Sequence, residues 1–204
     1  MTVRNWVVAM FVTAFCANTH AAVVFSNGLI NGTFGAYDIN SNNANQNISY
    51  SVSNSFTLST ATLLDSVEIG LWVTQGDVPL SLTWSIGSRP FSSNYGTGVS
   101  ALSNELYRKY FDAYDVFRST FAINSFVPIG ESWLTLSNAT GVKPGGEIAW
   151  DANSGPSKAQ DNGAPIMQSE YFSLSSRTSE VPEPFTTTLF LIGFVALSAF
   201  RKRR

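Results

Sequence analysis

The sequence predicts an all-β fold for residues 22–179, an antiparallel two-sheet sandwich of jelly-roll-like order. Short runs of β-branched and aromatic residues alternate with polar ones, as is typical of half-buried strands. Turn signals rich in Gly, Asn and Pro separate these runs. No helix-period pattern of useful length occurs between them. About eight such strands without a repeat favour two packed sheets, with immunoglobulin-like order as the alternative to the jelly roll.

The predicted strands follow one another along the chain as Ser55–Thr60, Asp65–Thr74, Leu80–Gly87, Asp115–Asn124, Ser132–Asn138 and Ser169–Ser175. Ala101–Tyr114 alternates like a strand but could also form one or two helical turns, and we favour the strand. Period two predicts that Trp72 and Trp133 face away from the core. It predicts that ten side chains face inward: Phe56, Leu58, Val67, Ile69, Leu71, Leu82, Trp84, Ile86, Leu134 and Leu136.

The charge of the central segment argues against a nucleic-acid partner. Residues 22–180 carry 13 acidic side chains and 7 basic ones. Binding to phosphates requires clustered Lys and Arg, and this segment is net acidic. We therefore expect no nucleic-acid partner.

The N-terminus has the pattern of a secretory signal peptide over residues 1–21. Arg4 is followed by an apolar run of twelve residues, Trp6–Ala17, and small residues precede a cleavage site between Ala21 and Ala22. The run is too short to span a bilayer permanently. A lipoprotein signal with Cys16 as the lipidated residue is the alternative. The bulky residue before Cys16 disfavours it, so we expect signal peptidase to cut after Ala21.

Cleavage there would remove Cys16 and His20, the only cysteine and the only histidine. A mature domain without them cannot form disulfides. It also cannot contain a Ser–His–Asp triad, a Cys–His pair or a zinc site made of His and Cys.

Residues 180–204 read as an extended acidic site, a membrane helix and a basic end. The uncharged run Phe185–Phe200 would reach roughly 24 Å as a helix, slightly less than the ~30 Å hydrocarbon core. The basic tail 201–204 should remain cytoplasmic as a membrane stop, formed by Arg201, Lys202, Arg203 and Arg204. The alternative is a buried C-terminal helix, which such a basic ending disfavours.

The motif "VPEP" (Val181–Pro184), the short apolar helix and the basic end together resemble a PEP-CTERM sorting signal. The resemblance implies that Pro182, Glu183 and Pro184 are recognised by exosortase, a membrane-embedded protease, after transient anchoring in the inner membrane. It also implies a Gram-negative bacterium that produces exopolysaccharide. The two prolines suit this role, since they keep the site extended.

The central segment also resembles the body of many PEP-CTERM surface proteins. The similarity covers most of Ser55–Leu174 and rests on the succession "NSFTLS", "GLWVTQGD", "LTWSIGSRPF", "AWDANSGPSKAQDNG" and "SEYFSL". It implies a recurrent domain of secreted bacterial proteins that has no assigned activity, and it identifies no catalytic residue.

Clustered aromatics suggest a glycan-contact surface, because aromatic rings stack on the apolar faces of sugars. Two segments, Ser88–Tyr95 and Tyr107–Tyr114, place aromatic residues near arginines. The candidate contacts are Phe91, Tyr95, Tyr107 and Tyr110. The competing interpretation is that these rings belong to the core, where strand aromatics usually lie.

Two further interpretations concern carboxylates. Asp151, Asn153 and Asp161 could ligate a structural Ca²⁺, with a polar turn as the alternative. A glycosidase would need two carboxylates ~5–10 Å apart, and no spacing pairs the available Glu131, Glu147, Asp151 and Glu170. Catalytic residues are therefore not assigned.

These observations predict an exported protein without catalytic activity. Its precursor would be anchored in the inner membrane, and its mature form would lie at the cell surface or in the extracellular matrix. The role would be structural, or association with exopolysaccharide through glycan binding. The alternative is a secreted polysaccharide hydrolase or lyase that uses a carboxylate pair.

Overall fold

The computed structural model describes residues 21–33, 35–40 and 50–177, and all its regular elements are strands. Ala21–Arg177 form one compact unit. The eight-stranded sheet contains β1 (Ala21–Ser26), β2 (Ala36–Asp38), β4 (Thr62–Thr74), β7 (Ser103–Tyr110), β8 (Tyr114–Val127), β10 (Ile148–Asn153), β13 (Ser169–Glu170) and β14 (Phe172–Arg177). The six-stranded sheet contains β3 (Ser51–Leu58), β5 (Pro79–Gly87), β6 (Gly96–Ala101), β9 (Gly130–Gly141), β11 (Ala159–Asp161) and β12 (Ala164–Ile166).

Both sheets are antiparallel throughout their strand pairs, so the predicted all-β, two-sheet architecture is confirmed. In the eight-stranded sheet β4 pairs with β8 along its whole length, and β7 follows β8. The other edge of β4 pairs with β14 and then with β10, and β1 lies beyond β14. The six-stranded sheet has the order β12-β11-β3-β9-β5-β6.

The core lies between the sheets and follows the predicted period-two pattern. All ten residues predicted to face inward are buried and belong to one cluster. Burial of one face fixes the register of each strand, because a shift of one residue would expose that whole face. Trp150 and Phe172 add rings from β10 and β14, with centroids 5.8 Å apart.

Trp72 faces away from this core, as its position between Leu71 and Val73 predicts. Trp133 is buried but does not belong to the core cluster. The ambiguous segment Ala101–Tyr114 is extended, since β7 covers Ser103–Tyr110 and a turn leads into β8.

Candidate functional site

The outer face of the eight-stranded sheet carries an aromatic cluster built around Trp72. The side chain of Trp72 packs there with Ile30, Val116, Ala149 and Tyr171, all of them buried. These residues come from neighbouring strands at positions that alternate with core residues, and from the β1–β2 connection. A second apolar layer thus covers the outside of this sheet.

Four tyrosine and phenylalanine rings at the edge of this cluster form a surface that we call the aromatic patch: Tyr107, Tyr110, Phe111 and Tyr114. Tyr110 and Tyr114 pack against Trp72, with ring centroids 4.8 and 5.7 Å from it. Phe111 meets Tyr110 edge-on at 4.6 Å and is 79% exposed at the β7–β8 turn. Tyr107 is 42% exposed on β7. The patch therefore presents open rings on a rigid apolar base.

Charged side chains surround Tyr107. The guanidinium carbon of Arg118 lies 5.6 Å from the centre of the Tyr107 ring, within cation–π range. Arg118 also forms ion pairs with Glu68 (Nε–Oε1, 3.6 Å) and Glu105 (Nη1–Oε2, 3.5 Å). The Tyr107 hydroxyl lies 3.5 Å from the Ile30 carbonyl, to which it donates. These contacts orient the ring while leaving part of its face open.

Two tyrosine hydroxyls near the patch are held by glutamates. Tyr114 donates to Glu147 Oε2 at 3.1 Å, and this hydrogen bond is the main reason that the pKa of Tyr114 is raised. Tyr171 donates to Glu68, and burial followed by that hydrogen bond raises its pKa. Both tyrosines therefore remain neutral donors at physiological pH.

The β1–β2 connection crosses the outer face of the sheet and is held there by Asp151. Asp151 Oδ1 accepts hydrogen bonds from Trp72 Nε1 (2.6 Å) and from the Gly32 amide (2.8 Å). Its Oδ2 accepts from the Asn31 amide at 2.7 Å. Burial raises the pKa of Asp151, and these three donors oppose that shift. Ile30, the neighbour of Asn31, packs over Gly70, where an added Cβ would lie 3.0 Å from the Ile30 side chain and 2.8 Å from Asp151 Cβ.

An uncharged groove lies against the same connection, with a volume of about 480 Å³. Its walls are formed by residues 28–31 and 153–156. Ser154 is exposed there and makes no hydrogen bond in the described part of the chain. The groove thus offers polar contacts without a net charge.

The four predicted glycan contacts do not form one surface. Tyr107 and Tyr110 lie together on β7, in the eight-stranded sheet. Phe91 and Tyr95 lie in the β5–β6 turn of the six-stranded sheet. The Phe91 amide donates to Thr135 Oγ1 of β9 in that same sheet (3.3 Å). Tyr95 is half-buried and packs against the inter-sheet core. The core interpretation therefore fits Tyr95, and the surface interpretation fits Tyr107.

The residues proposed for Ca²⁺ binding have other partners. Both oxygens of Asp151 already accept from N–H groups. Asn153 Oδ1 accepts from the Gly155 amide and the Ser169 hydroxyl, each at 3.0 Å. Asp161 belongs to β11 of the opposite sheet. Within residues 21–33, 35–40 and 50–177 no group of three or more His, Cys, Asp or Glu side chains could hold a metal ion.

One candidate carboxylate, Glu170, is buried between the two sheets. Its Oε2 accepts from Asn54 Nδ2 of β3, while its Oε1 has no hydrogen-bond partner among the described residues. Burial raises the pKa of Glu170 to about 8; the hydrogen bond from Asn54 opposes this shift, and the negative charge of Asp161 adds to it. Burial also raises the pKa of Asp161.

The other carboxylates considered for catalysis are engaged separately. Glu131 is paired with Lys158 at 2.6 Å, and Glu147 accepts from Tyr114. Asp151 is enclosed by its three donors. Glu170 is fully buried, so no open cleft brings it to solvent.

The predicted processing residues are only partly described. Ala21 and Ala22 begin β1, where they pair with Arg177 and Ser176 of β14. Pro182, Glu183, Pro184, the apolar run 185–200 and the basic tail 201–204 lie outside the described residues. In the segments that the structure does describe, there is no helix of the length and hydropathy needed to cross a membrane.

Two contributors to the site were not predicted from the sequence, Phe111 and Ile30. Phe111 occupies a tight turn with φ 49°, and a hairpin between β7 and β8 would have placed it at the tip. Ile30 sits in an irregular connection that has no periodic pattern, so no local signal marks it.

Comparison with known proteins gives no match: neither the family models nor the curated proteins contain one to this chain.

Proposed function

We propose that this chain is an exported, non-catalytic protein of the cell surface or extracellular matrix that binds exopolysaccharide through the aromatic patch. The observation that carries the proposal is the pair of open rings, Tyr107 and Phe111, on a base of buried aromatics. Sugar rings stack on such faces, and neighbouring charged groups such as Arg118 and Glu105 can pair with hydroxyls. The adjacent uncharged groove would extend the contact along a polymer.

The strand order supports a jelly-roll-like sandwich as the scaffold of this surface. Part of the larger sheet has the order β1-β14-β4-β8, and part of the smaller one has the order β3-β9-β5-β6. Consecutive strands such as β3, β4 and β5 alternate between the two sheets. This alternation is typical of two Greek keys wound together. Loops and one sheet face of such folds are free to carry binding sites.

A hydrolase or lyase is the second candidate, and Glu170 is the observation that favours it. A carboxyl group with a pKa of about 8 could act as a general acid. Its complete burial removes it from a polymeric substrate, however. Binding without turnover is therefore the function that we prefer.

Replacing Tyr107 and Phe111 by alanine is expected to weaken glycan binding. Loss of roughly 50 Å² of ring contact at each position would cost about 1 kcal/mol, or several-fold in Kd. The measurement is a glycan array with the secreted protein, followed by titration of the best glycan. Val99→Ala is the control, because Val99 is exposed on β6 of the other sheet. Equal binding by the wild type and both aromatic variants would refute the patch, and turnover of the bound glycan would favour the enzyme.

We propose that the C-terminal segment anchors the precursor in the inner membrane and that exosortase releases the domain. The proposal rests on the order of the "PEP" motif, the apolar run and the basic end. Signal peptidase would act at Ala21–Ala22 and exosortase at Pro182-Glu183-Pro184.

Glu183→Ala is expected to block release and to leave membrane insertion unchanged, because the apolar run alone drives insertion. Full-length protein should then accumulate in the membrane fraction of a host that contains exosortase. Removal of Arg201–Arg204 is the contrasting variant, and it should disturb orientation instead. Normal release of the Glu183→Ala protein would show that the segment is only an anchor.

A further inference from the structure

We call one end of the sandwich the exit end, because the last described residue, Arg177, lies there. Arg177 is the last residue of β14, and Ala21 pairs with it in β1. The register between β14 and β4 places Arg177 beside Leu63, because Ser176 pairs with Leu64. Leu63 in turn pairs with Phe126 of β8. The chain therefore leaves from the same cross-strand row that contains these two apolar side chains.

The exit end exposes large apolar groups to solvent. Leu63 is 54% exposed and Phe126 is 62% exposed, although they pair directly across two strands. Ile129, in the β8–β9 turn, is 68% exposed. The β5–β6 turn adjoins them, since Ser125 Oγ donates to the Tyr95 carbonyl at 3.0 Å. The exposed Arg177 lies in the same cross-strand row as Leu63. Apolar groups beside an arginine suit the boundary between lipid headgroups and acyl chains.

The length of the connecting segment limits how far the exit end can move from a membrane. Residues 178–184 separate Arg177 from the apolar run that begins at Phe185. Fully extended, these seven residues reach at most about 25 Å. The thirteen residues of β4 span roughly 40 Å along the sandwich. An anchored domain must therefore keep its exit end close to the lipid surface.

We propose that the exit end, through Leu63, Phe126 and Ile129, docks on the lipid surface of the membrane while the C-terminal segment remains uncut. This inference rests on the proposed membrane-anchored precursor. The tether keeps the local concentration of lipid high, so a small contact is sufficient. The aromatic patch lies on the same sheet but extends toward the opposite end, where Thr74 pairs with Tyr114. The length of β4 would therefore keep the patch away from the membrane. Cleavage by the protease would remove the tether, and the docked exit end would then leave the membrane as well.

The test uses the full chain with Cys16→Ser, which leaves no other cysteine. Phe126→Cys, Ile129→Cys and Phe111→Cys each receive a polarity-sensitive fluorophore. Phe111→Cys is the matched control, because it replaces an exposed phenylalanine at the opposite end. Each protein is reconstituted into vesicles of phosphatidylethanolamine and phosphatidylglycerol. All three sites are exposed turns or strand faces, so the labels should not disturb folding.

The labels at 126 and 129 should shift to shorter wavelength on reconstitution and be quenched by brominated lipid, while the label at 111 should do neither. Flotation with the vesicles reports insertion independently. Flotation without a shift at 126 and 129 would overturn the docking and leave the anchor intact. Equal shifts at 111 and 126 would show that the domain contacts lipid without a preferred orientation, and this result would also overturn the docking proposal. Failure to float would overturn the anchor, and the docking proposal with it.

Discussion

Replacing Glu170 by glutamine is expected to abolish a large pH dependence of the domain's stability. Burial raises the pKa of Glu170 from 4.5 to about 8 in the folded protein. Between these two values the folded state holds a proton that the unfolded state has lost. The contribution of Glu170 to the free energy of unfolding is therefore fully present below about pH 4.5, and it is lost as the pH rises toward 8. The fall attributable to Glu170 is on the order of 3–5 kcal/mol.

Glutamine keeps the acceptor for Asn54 and cannot ionise, so Glu170→Gln should match the wild type in acid and exceed it above about pH 8. Urea unfolding of the wild type and the variant at several pH values measures the difference. Subtraction isolates Glu170 from the other groups that face it, Asp161 of β11 and Tyr37 of β2. Glu105→Gln is the control, since Glu105 is exposed and its ion pair contributes little. Parallel curves for wild type and Glu170→Gln would contradict the expectation.

The sequence predicted the central strands well because their pattern is local. In β4, β5 and β9 one face carries the core between the sheets, so the period-two spacing of apolar residues reports that face directly. Strand β10 escaped prediction because "WDANS" contains residues that normally favour turns. Asp151 and Asn153 are instead buried in a strand, where their partners Asn31 and Asn27 lie more than 100 residues earlier. No local pattern contains that information.

The candidate site was predicted only in part for the same reason. Their closeness along the chain grouped Phe91 and Tyr95 with Tyr107 and Tyr110. The β5–β6 turn and β7 nevertheless belong to different sheets. Which strands pair is decided by long-range register, which a single sequence does not encode visibly. The outward direction of Trp72 was predictable, since it depends on period two alone. Predicting the aromatic patch requires both the direction of each side chain, which period two gives, and the pairing of distant strands.

Asp151 connects the Trp72 cluster to the β1–β2 connection. We expect its loss to lower stability more than any other single change near the aromatic patch. Its carboxylate accepts from Trp72, which supports the aromatic rings, and from the amides of Asn31 and Gly32, which belong to the β1–β2 connection. All three donors would lose their partner in Asp151→Ala. An unsatisfied buried donor costs roughly 1–3 kcal/mol, and part of this is recovered if water enters.

We expect Asp151→Ala to lower the free energy of unfolding by about 3–5 kcal/mol and to loosen residues 27–33. Asp151→Asn should cost less, because one amide oxygen still accepts, but it turns an N–H₂ group toward N–H donors. Urea unfolding measures stability, and limited proteolysis measures release of the connection. Asp112→Asn is the matched control, since Asp112 is exposed in the β7–β8 turn and should change stability by less than about 0.5 kcal/mol. If Asp151→Ala were as stable as this control, the connection would be held by Ile30 packing over Gly70, and Asp151 would not be its clamp.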